Sequence, residues 1–245
     1  MSFAAIDTVS LLPELVGQLL PISILAGVVG LDVVSFPQAM ISRPIVAATV
    51  AGAFLGAPVA GLVCGAALEC LALESLPVGA SRYPEWGSAS VVAGAVAAQG
   101  VQGGALPHPG AFAVAVAVGI VTAWLGGLSM VKLRQIIAAF ARARLGQLAA
   151  GNRNTVIGLQ VFGMTADLVR GTLIGALAYL PAALFAAWAE SRWSVREDIS
   201  RAYVVTAVAA VAATAVWKDF HAISGTRRLF LASLAAGTVL VLLGV

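Results

Sequence analysis

The sequence predicts an all-α integral membrane protein, a polytopic helical bundle with broken or re-entrant helices. Three observations predict it. Of the 245 residues, 60% are hydrophobic and 10% are charged, where a soluble domain carries about 25% charged residues, and the mean hydropathy is +0.99. The charges bound long charge-free stretches at 15–31, 44–68, 86–131, 171–189, 202–217 and 229–245. Two of those stretches are broken inside by Gly and Pro. At roughly 20 residues per spanning helix, the chain holds at most ~8–9 spans, so residues 1–245 read as a single membrane domain. A soluble enzyme with a solvated surface and a disordered chain are both excluded.

Taken in order, the first 20 residues carry Asp7 and Glu14 but no Lys or Arg. A signal peptide starts basic, so the first apolar run reads as a retained helix. The stretch 44–68 contains Gly52, Gly56, Pro58, Gly61 and Gly65. Pro58 after Gly56-Ala57 stops a straight helix, and the second half runs directly into Glu69. A short, interrupted apolar segment ending in a carboxylate has the form of a broken or re-entrant helix; two ordinary helices with a kink is the competing reading. The stretch 86–131 is too long for one helix. Gly100-Val-Gln-Gly-Gly104 and Pro107-His-Pro109 divide it into helices over about 88–99 and 110–130, joined by a tight turn.

Residues 132–153 hold Lys132, Arg134, Arg142, Arg144 and Arg153 and no acid. The positive-inside rule makes this segment cytoplasmic. Leu133, Ile136, Ile137, Phe140, Leu145 and Leu148 recur at helical spacing, predicting an amphipathic surface helix that ends near Gly151-Asn152. The loop 190–201 balances Arg192, Arg196 and Arg201 against Glu190, Glu197 and Asp198, with Trp188 and Trp193 flanking it as an interfacial belt, and is placed outside. Lys218, Arg227 and Arg228 return 218–228 to the inside. The net charge of +3 therefore reports topology and does not point to nucleic acid.

Ionisable groups at membrane depth cost on the order of 2.5–3.5 kcal/mol on insertion scales and need a reason. Glu69, apolar on both sides, is the strongest candidate for facing a ligand. Asp32 directly follows the first span and Arg43-Pro44 opens the second; both also read as interfacial anchors. Glu74 ends the Glu69 run. Between Leu76 and Trp86 lies an irregular polar segment with Pro77, Gly79, Arg82, Tyr83, Pro84 and Glu85. At membrane depth it would line a cavity, where carboxylates bind sugar hydroxyls and Tyr83 or Trp86 stack on a sugar face; an ordinary external loop is the other reading. Asp167 and Arg170 read as an i,i+3 ion pair. Cys64 and Cys70 read as small apolar residues, and His108 and His221 lack a nearby second ligand, so no metal or cofactor is expected. The chain carries no zinc-protease, nucleophile-elbow, P-loop or dinucleotide-binding motif. An intramembrane hydrolase has no motif in its favour, and no catalytic residue is assigned.

Leu31-Asp32, Gln38-Ala-Met-Ile-Ser-Arg-Pro-Ile-Val46, Gly52, Leu55-Gly56, Gly65-Ala-Ala-Leu-Glu69 and Leu76-Pro-Val-Gly-Ala80 together resemble the membrane subunit IIC of the mannose–fructose–sorbose family of bacterial phosphotransferase systems. The resemblance covers about the first 130 residues well and continues more weakly through Ala149-Ala-Gly-Asn152. It implies an all-helical fold with broken and re-entrant helices near the sugar site, and a multi-pass protein of the bacterial inner membrane. It also implies pairing with a second membrane subunit, IID, into an oligomer of heterodimers. That pair would bind a hexose and move it inward for phosphorylation by a cytoplasmic IIB subunit, itself phosphorylated through IIA. The IIC chain would thus be a transporter subunit and not an enzyme. Asp32, Arg43 and Glu69 match polar positions of the family pattern, and Glu85 stands where the family commonly has Asp after a proline. Glu74 stands where glycine is common, and Trp86 follows Glu85. These departures motivate an alternative: a structural or regulatory membrane subunit with the same fold that does not transport.

Overall fold

The computed structural model describes residues 8–73, 83–221 and 225–242. Glu74 and the segment Leu76–Arg82, singled out above, lie outside the described residues, as does Asp7. Among the described residues all regular structure is helical: α1 Thr8–Leu31, α2 Pro44–Phe54, α3 Pro58–Ala72, α4 Trp86–Gln99, α5 Pro109–Arg142, α6 Leu145–Ala149, α7 Arg153–Arg192, α8 Glu197–His221 and α9 Thr226–Leu242. Helices α1 (over Leu12–Leu31), α5 and α7 are long and apolar enough to cross a membrane. The chain is an all-α membrane protein.

The Gly/Pro-interrupted stretch forms a hairpin. Pro44 and Pro58 each sit in the first turn of their helix, where a missing N–H costs nothing. Between the helices Gly56 takes φ +79, a left-handed turn open to glycine. At 11 and 15 residues, α2 and α3 are about 17 and 23 Å long, short of the roughly 30 Å bilayer core. They pack antiparallel with backbones nearly touching, so that a Cβ on Gly61 would stand 2.2 Å from the Ala48 carbonyl oxygen. Lipid supplies no hydrophobic force between helices, and small residues that allow such approach supply dispersion contact instead. The hairpin leans on α4, whose Ala, Val and Gly residues are buried almost throughout, while α1, α5 and α7 complete the wall around α4.

The expected turn between α4 and α5 is present. His108 N donates to the Gly100 carbonyl at 2.7 Å, and the His108 side chain caps α5 by accepting from Gly110 N at 3.2 Å.

The basic segment requires a correction. It is not a separate surface helix: α5 runs unbroken from Pro109 to Arg142, α6 is one short turn, and α7 starts at Arg153. Leu133, Ile136, Ile137 and Phe140 are helical as their spacing predicts, but periodicity does not mark a helix start, and no Pro or N-cap separates these residues from the span before them. Gly151 (φ +69) and Asn152 end the turn as expected; the Asn152 side chain accepts from Asn154 N and Thr155 N, an N-cap. At 34 and 40 residues, α5 and α7 are about 51 and 60 Å long. Both exceed the roughly 30 Å bilayer core, and the Phe140–Phe162 contact at 4.9 Å ties their basic ends together. The expected loop 190–201 is also shorter, since α7 reaches Arg192 and α8 begins at Glu197.

Candidate functional site

Four residues carry the sequence-based expectation: Asp32, Arg43, Glu69 and Glu85. The fold brings two of them together and turns the other two elsewhere.

Arg43 is the extended residue before Pro44 (φ −62, ψ 134), the conformation that a following proline favours. Glu69 lies in the last turn of α3. Antiparallel packing closes the two across the mouth of the hairpin, where Arg43 Nη2 donates to Glu69 Oε1. Ile45 N donates to Glu69 Oε2 at 3.2 Å, so the carboxylate also satisfies an orphan amide at the positive end of α2. Arg43 is about one-third exposed and Glu69 17%, so the pair remains reachable. Beside it is a crevice of about 70 Å³ lined by Ser42, Arg43, Pro44, Tyr83, Pro84 and Trp86. One face of Tyr83 is covered: the Arg134 guanidinium lies 5.1 Å from the ring centroid and donates to the phenol oxygen.

Asp32 is buried and spent on its own loop. It accepts from Ala39 N at 2.6 Å, Ser42 N at 2.9 Å and Ser42 Oγ at 2.9 Å. Gln38 and Met40 take positive φ of 58 and 62, which curls the loop back so that these donors face the carboxylate. Asp32 thus shapes the backbone that delivers Ser42 and Arg43 to the crevice.

Glu85 is fully buried. It caps α4 by accepting from Ser88 N at 3.0 Å, and its own N–H donates to Ala123 O at 2.7 Å. The segment 83–85 lies flat on α5 because Gly127 leaves room; a Cβ there would stand 2.3 Å from Tyr83 O. Across from Glu85 is Arg170, 4.0 Å away. Arg170 is held by Asp167 at 2.8–2.9 Å and donates to Gly126 O and Ser129 Oγ, while Ser35 Oγ donates to Asp167 at 2.9 Å. The i,i+3 pair expected from the sequence is present. What spacing could not give is that Glu85 and Ser35 join it from other elements; the Gly126-Gly127 pair is the one local sign that something approaches α5 there.

The hairpin mouth therefore offers a carboxylate acceptor and a guanidinium donor side by side, with a hydroxyl and an indole at the crevice. That set suits adjacent hydroxyls of a polyol: the carboxylate accepts from one and the guanidinium donates to the next. Among the described residues no group of three His, Cys, Asp or Glu could hold a metal ion.

A family model described as the sorbose-specific IIC component of the phosphotransferase system matches residues 16–193, well over half the chain. No curated protein matches it.

Proposed function

This chain belongs to the sorbose-specific IIC family of phosphotransferase-system components, and we propose that it binds a hexose of the mannose, fructose or sorbose class at the hairpin mouth and moves it inward. Membership makes it a membrane-embedded sugar-permease subunit that works with other components of its system. The finer reading has Glu69 and Arg43 contacting sugar hydroxyls, Asp32 holding the loop that carries Ser42 and Arg43, and Glu85 fixing the start of α4 behind the crevice. Its partners are a IID membrane subunit, with which it forms an oligomer of heterodimers, and the IIB and IIA subunits that phosphorylate the sugar on the cytoplasmic side. Its location is the bacterial inner membrane.

The observation that carries this reading is the reachable Arg43–Glu69 pair at the open end of a hairpin whose helices are shorter than the bilayer core. Broken elements of this kind mark substrate sites in transporters because their ends leave backbone polar groups at membrane depth. The second reading, a subunit that does not transport, draws on the same pair: Glu69 and Arg43 already neutralise each other, and the crevice beside them is small. Hexose binding by calorimetry, on the chain with its IID partner, separates the two. A binding component that is lost in Glu69→Gln while the complex stays assembled supports the permease site. A stable native complex that binds no mannose, fructose or sorbose supports the second reading.

A further inference from the structure

The hairpin mouth is not the largest polar recess between the long helices. At the other end of α4, a cavity of about 210 Å³ opens between α1, α4 and α7, three times the volume of the crevice beside Arg43. Its polar lining is Glu14, Gln99, Gln102 and Glu190, over an apolar floor that includes Leu15, Val96 and Ala186.

These polar groups are arranged by one another. Gln99 Nε2 donates to Gln18 Oε1 at 2.5 Å and to the Tyr179 hydroxyl at 2.6 Å. The Tyr179 hydroxyl, on a fully buried side chain, lies 2.7 Å from Gln18 Oε1 as donor. Gln18 Nε2 donates to Glu14 Oε1 at 3.0 Å. On the opposite wall Gln102 Nε2 donates to Glu190 Oε2 at 2.7 Å. Among the described residues nothing donates to the second oxygen of each carboxylate or to the carbonyl oxygen of Gln99. The recess thus presents fixed acceptors above a floor of small apolar side chains. Sugar hydroxyls donate to such acceptors, and the C–H face of a pyranose packs on such a floor.

Orientation gives this recess a place in the path. The basic segment 132–153, which holds the turn into α7, is cytoplasmic by the positive-inside rule. Helix α7 runs from that turn to Arg192, so Glu190 is at the outer end. The hairpin mouth lies toward the opposite end of α4, where Tyr83 and Trp86 are.

We propose that this recess is an outer hexose-binding site, distinct from the hairpin mouth, which holds the sugar before it reaches Glu69. The inference rests on the permease reading above. Glu14, Glu190 and Gln99 accept from hydroxyls, Gln102 orients Glu190, and Gln18 and Tyr179 hold Gln99 in place.

The test uses Ala187→Cys, a half-buried position in the lining, in a Cys70→Ser background, in intact cells that carry the whole transport system. A membrane-impermeant maleimide should label it from outside. Mannose, fructose or sorbose should slow that labelling at least tenfold. Glu69→Gln should leave the half-protecting concentration unchanged, and Glu190→Gln should raise it at least tenfold. Uptake by the Glu190→Gln chain should show a raised KM with maximal rate retained. Labelling that no hexose slows, in cells with normal uptake, overturns the outer site and leaves the Glu69 reading standing. Protection abolished by Glu69→Gln also overturns it, because one site would then serve both. Absence of uptake through the native chain removes the reading on which the inference rests.

Discussion

Arg170 Nη1 lies 4.0 Å from Glu85 Oε2, joining residues 85 positions apart at the centre of the bundle. Arg170 is at the same time bonded to Asp167, so one cation faces two carboxylates, and all three side chains are almost entirely buried. The arrangement is unequal: Asp167 has Ser35 and Arg170 as donors, while Glu85 Oε2 has no hydrogen-bond partner among the described residues.

That inequality predicts an asymmetric response. Arg170→Leu leaves two buried carboxylates without a counter-charge and should cost about 3–5 kcal/mol, the usual range for breaking a buried pair. Glu85→Gln keeps the oxygen that caps α4 and removes a charge that Arg170 faces without a hydrogen bond, and should cost about 1 kcal/mol or less. Thermal unfolding of the purified chain in lipid nanodiscs measures both. Equal losses would mean that Arg170 does not carry the cluster.

At the hairpin mouth the expectation is reversed: small stability effect, large functional effect. Arg43 and Glu69 are both partly exposed, and exposed pairs contribute roughly 0–1 kcal/mol. Arg43→Lys keeps the charge and loses the planar fork. It should leave unfolding within about 1 kcal/mol of native and lower hexose uptake at least tenfold. Native uptake by Arg43→Lys would remove the guanidinium from the site.

Glycine substitutions should separate packing from propensity. Gly61→Ala places a methyl 2.2 Å from the Ala48 carbonyl oxygen, a backbone atom that cannot move without opening the hairpin. Overpacking of this kind typically costs 1–3 kcal/mol. Gly158, also helical, has nothing within 4 Å of its Cβ position. Gly158→Ala should stabilise by roughly 0.5–1 kcal/mol through helix propensity. Unfolding midpoints of the two variants should move in opposite directions.

His108 sits in the turn before α5. Burial pushes its pKa below the ordinary value, and Glu197 opposes this only in part. With the folded pKa depressed, the unfolded chain binds the proton first as pH falls. Stability is therefore full above about 6.5, the ordinary histidine value, and declines below it. Protonation also removes the Nδ1 acceptor for Gly110 N. His108→Asn, which keeps a capping acceptor and does not titrate, should flatten the decline between about pH 6.5 and 5, measured by unfolding across that window.

Membrane class, the breaks at Gly56-Ala-Pro58 and at 100–109, the stop near Gly151-Asn152 and the family were legible in the sequence. Each depends on hydropathy, a breaker residue or a motif, all properties of a few consecutive residues. The continuity of α5 through the basic segment was not, because amphipathic spacing looks the same in a separate helix and in the end of a long one. Of the candidate site residues, Glu69 and Arg43 were both singled out, but nothing in their 26-residue separation says that they meet.

Which polar group answers which was decided only by the tertiary structure. Asp32 turns to its own loop, Glu69 to Arg43, Glu85 toward Arg170, and Gln18 and Gln99 to Tyr179. The physical reason is that a charge or amide inside a membrane must find a partner within hydrogen-bond reach. Reach is set by how closely the helices approach, through contacts such as Gly61 on Ala48 and Gly127 on Tyr83. The sequence determined by itself that such partners were needed and where the chain would bend; close packing of small residues selected them.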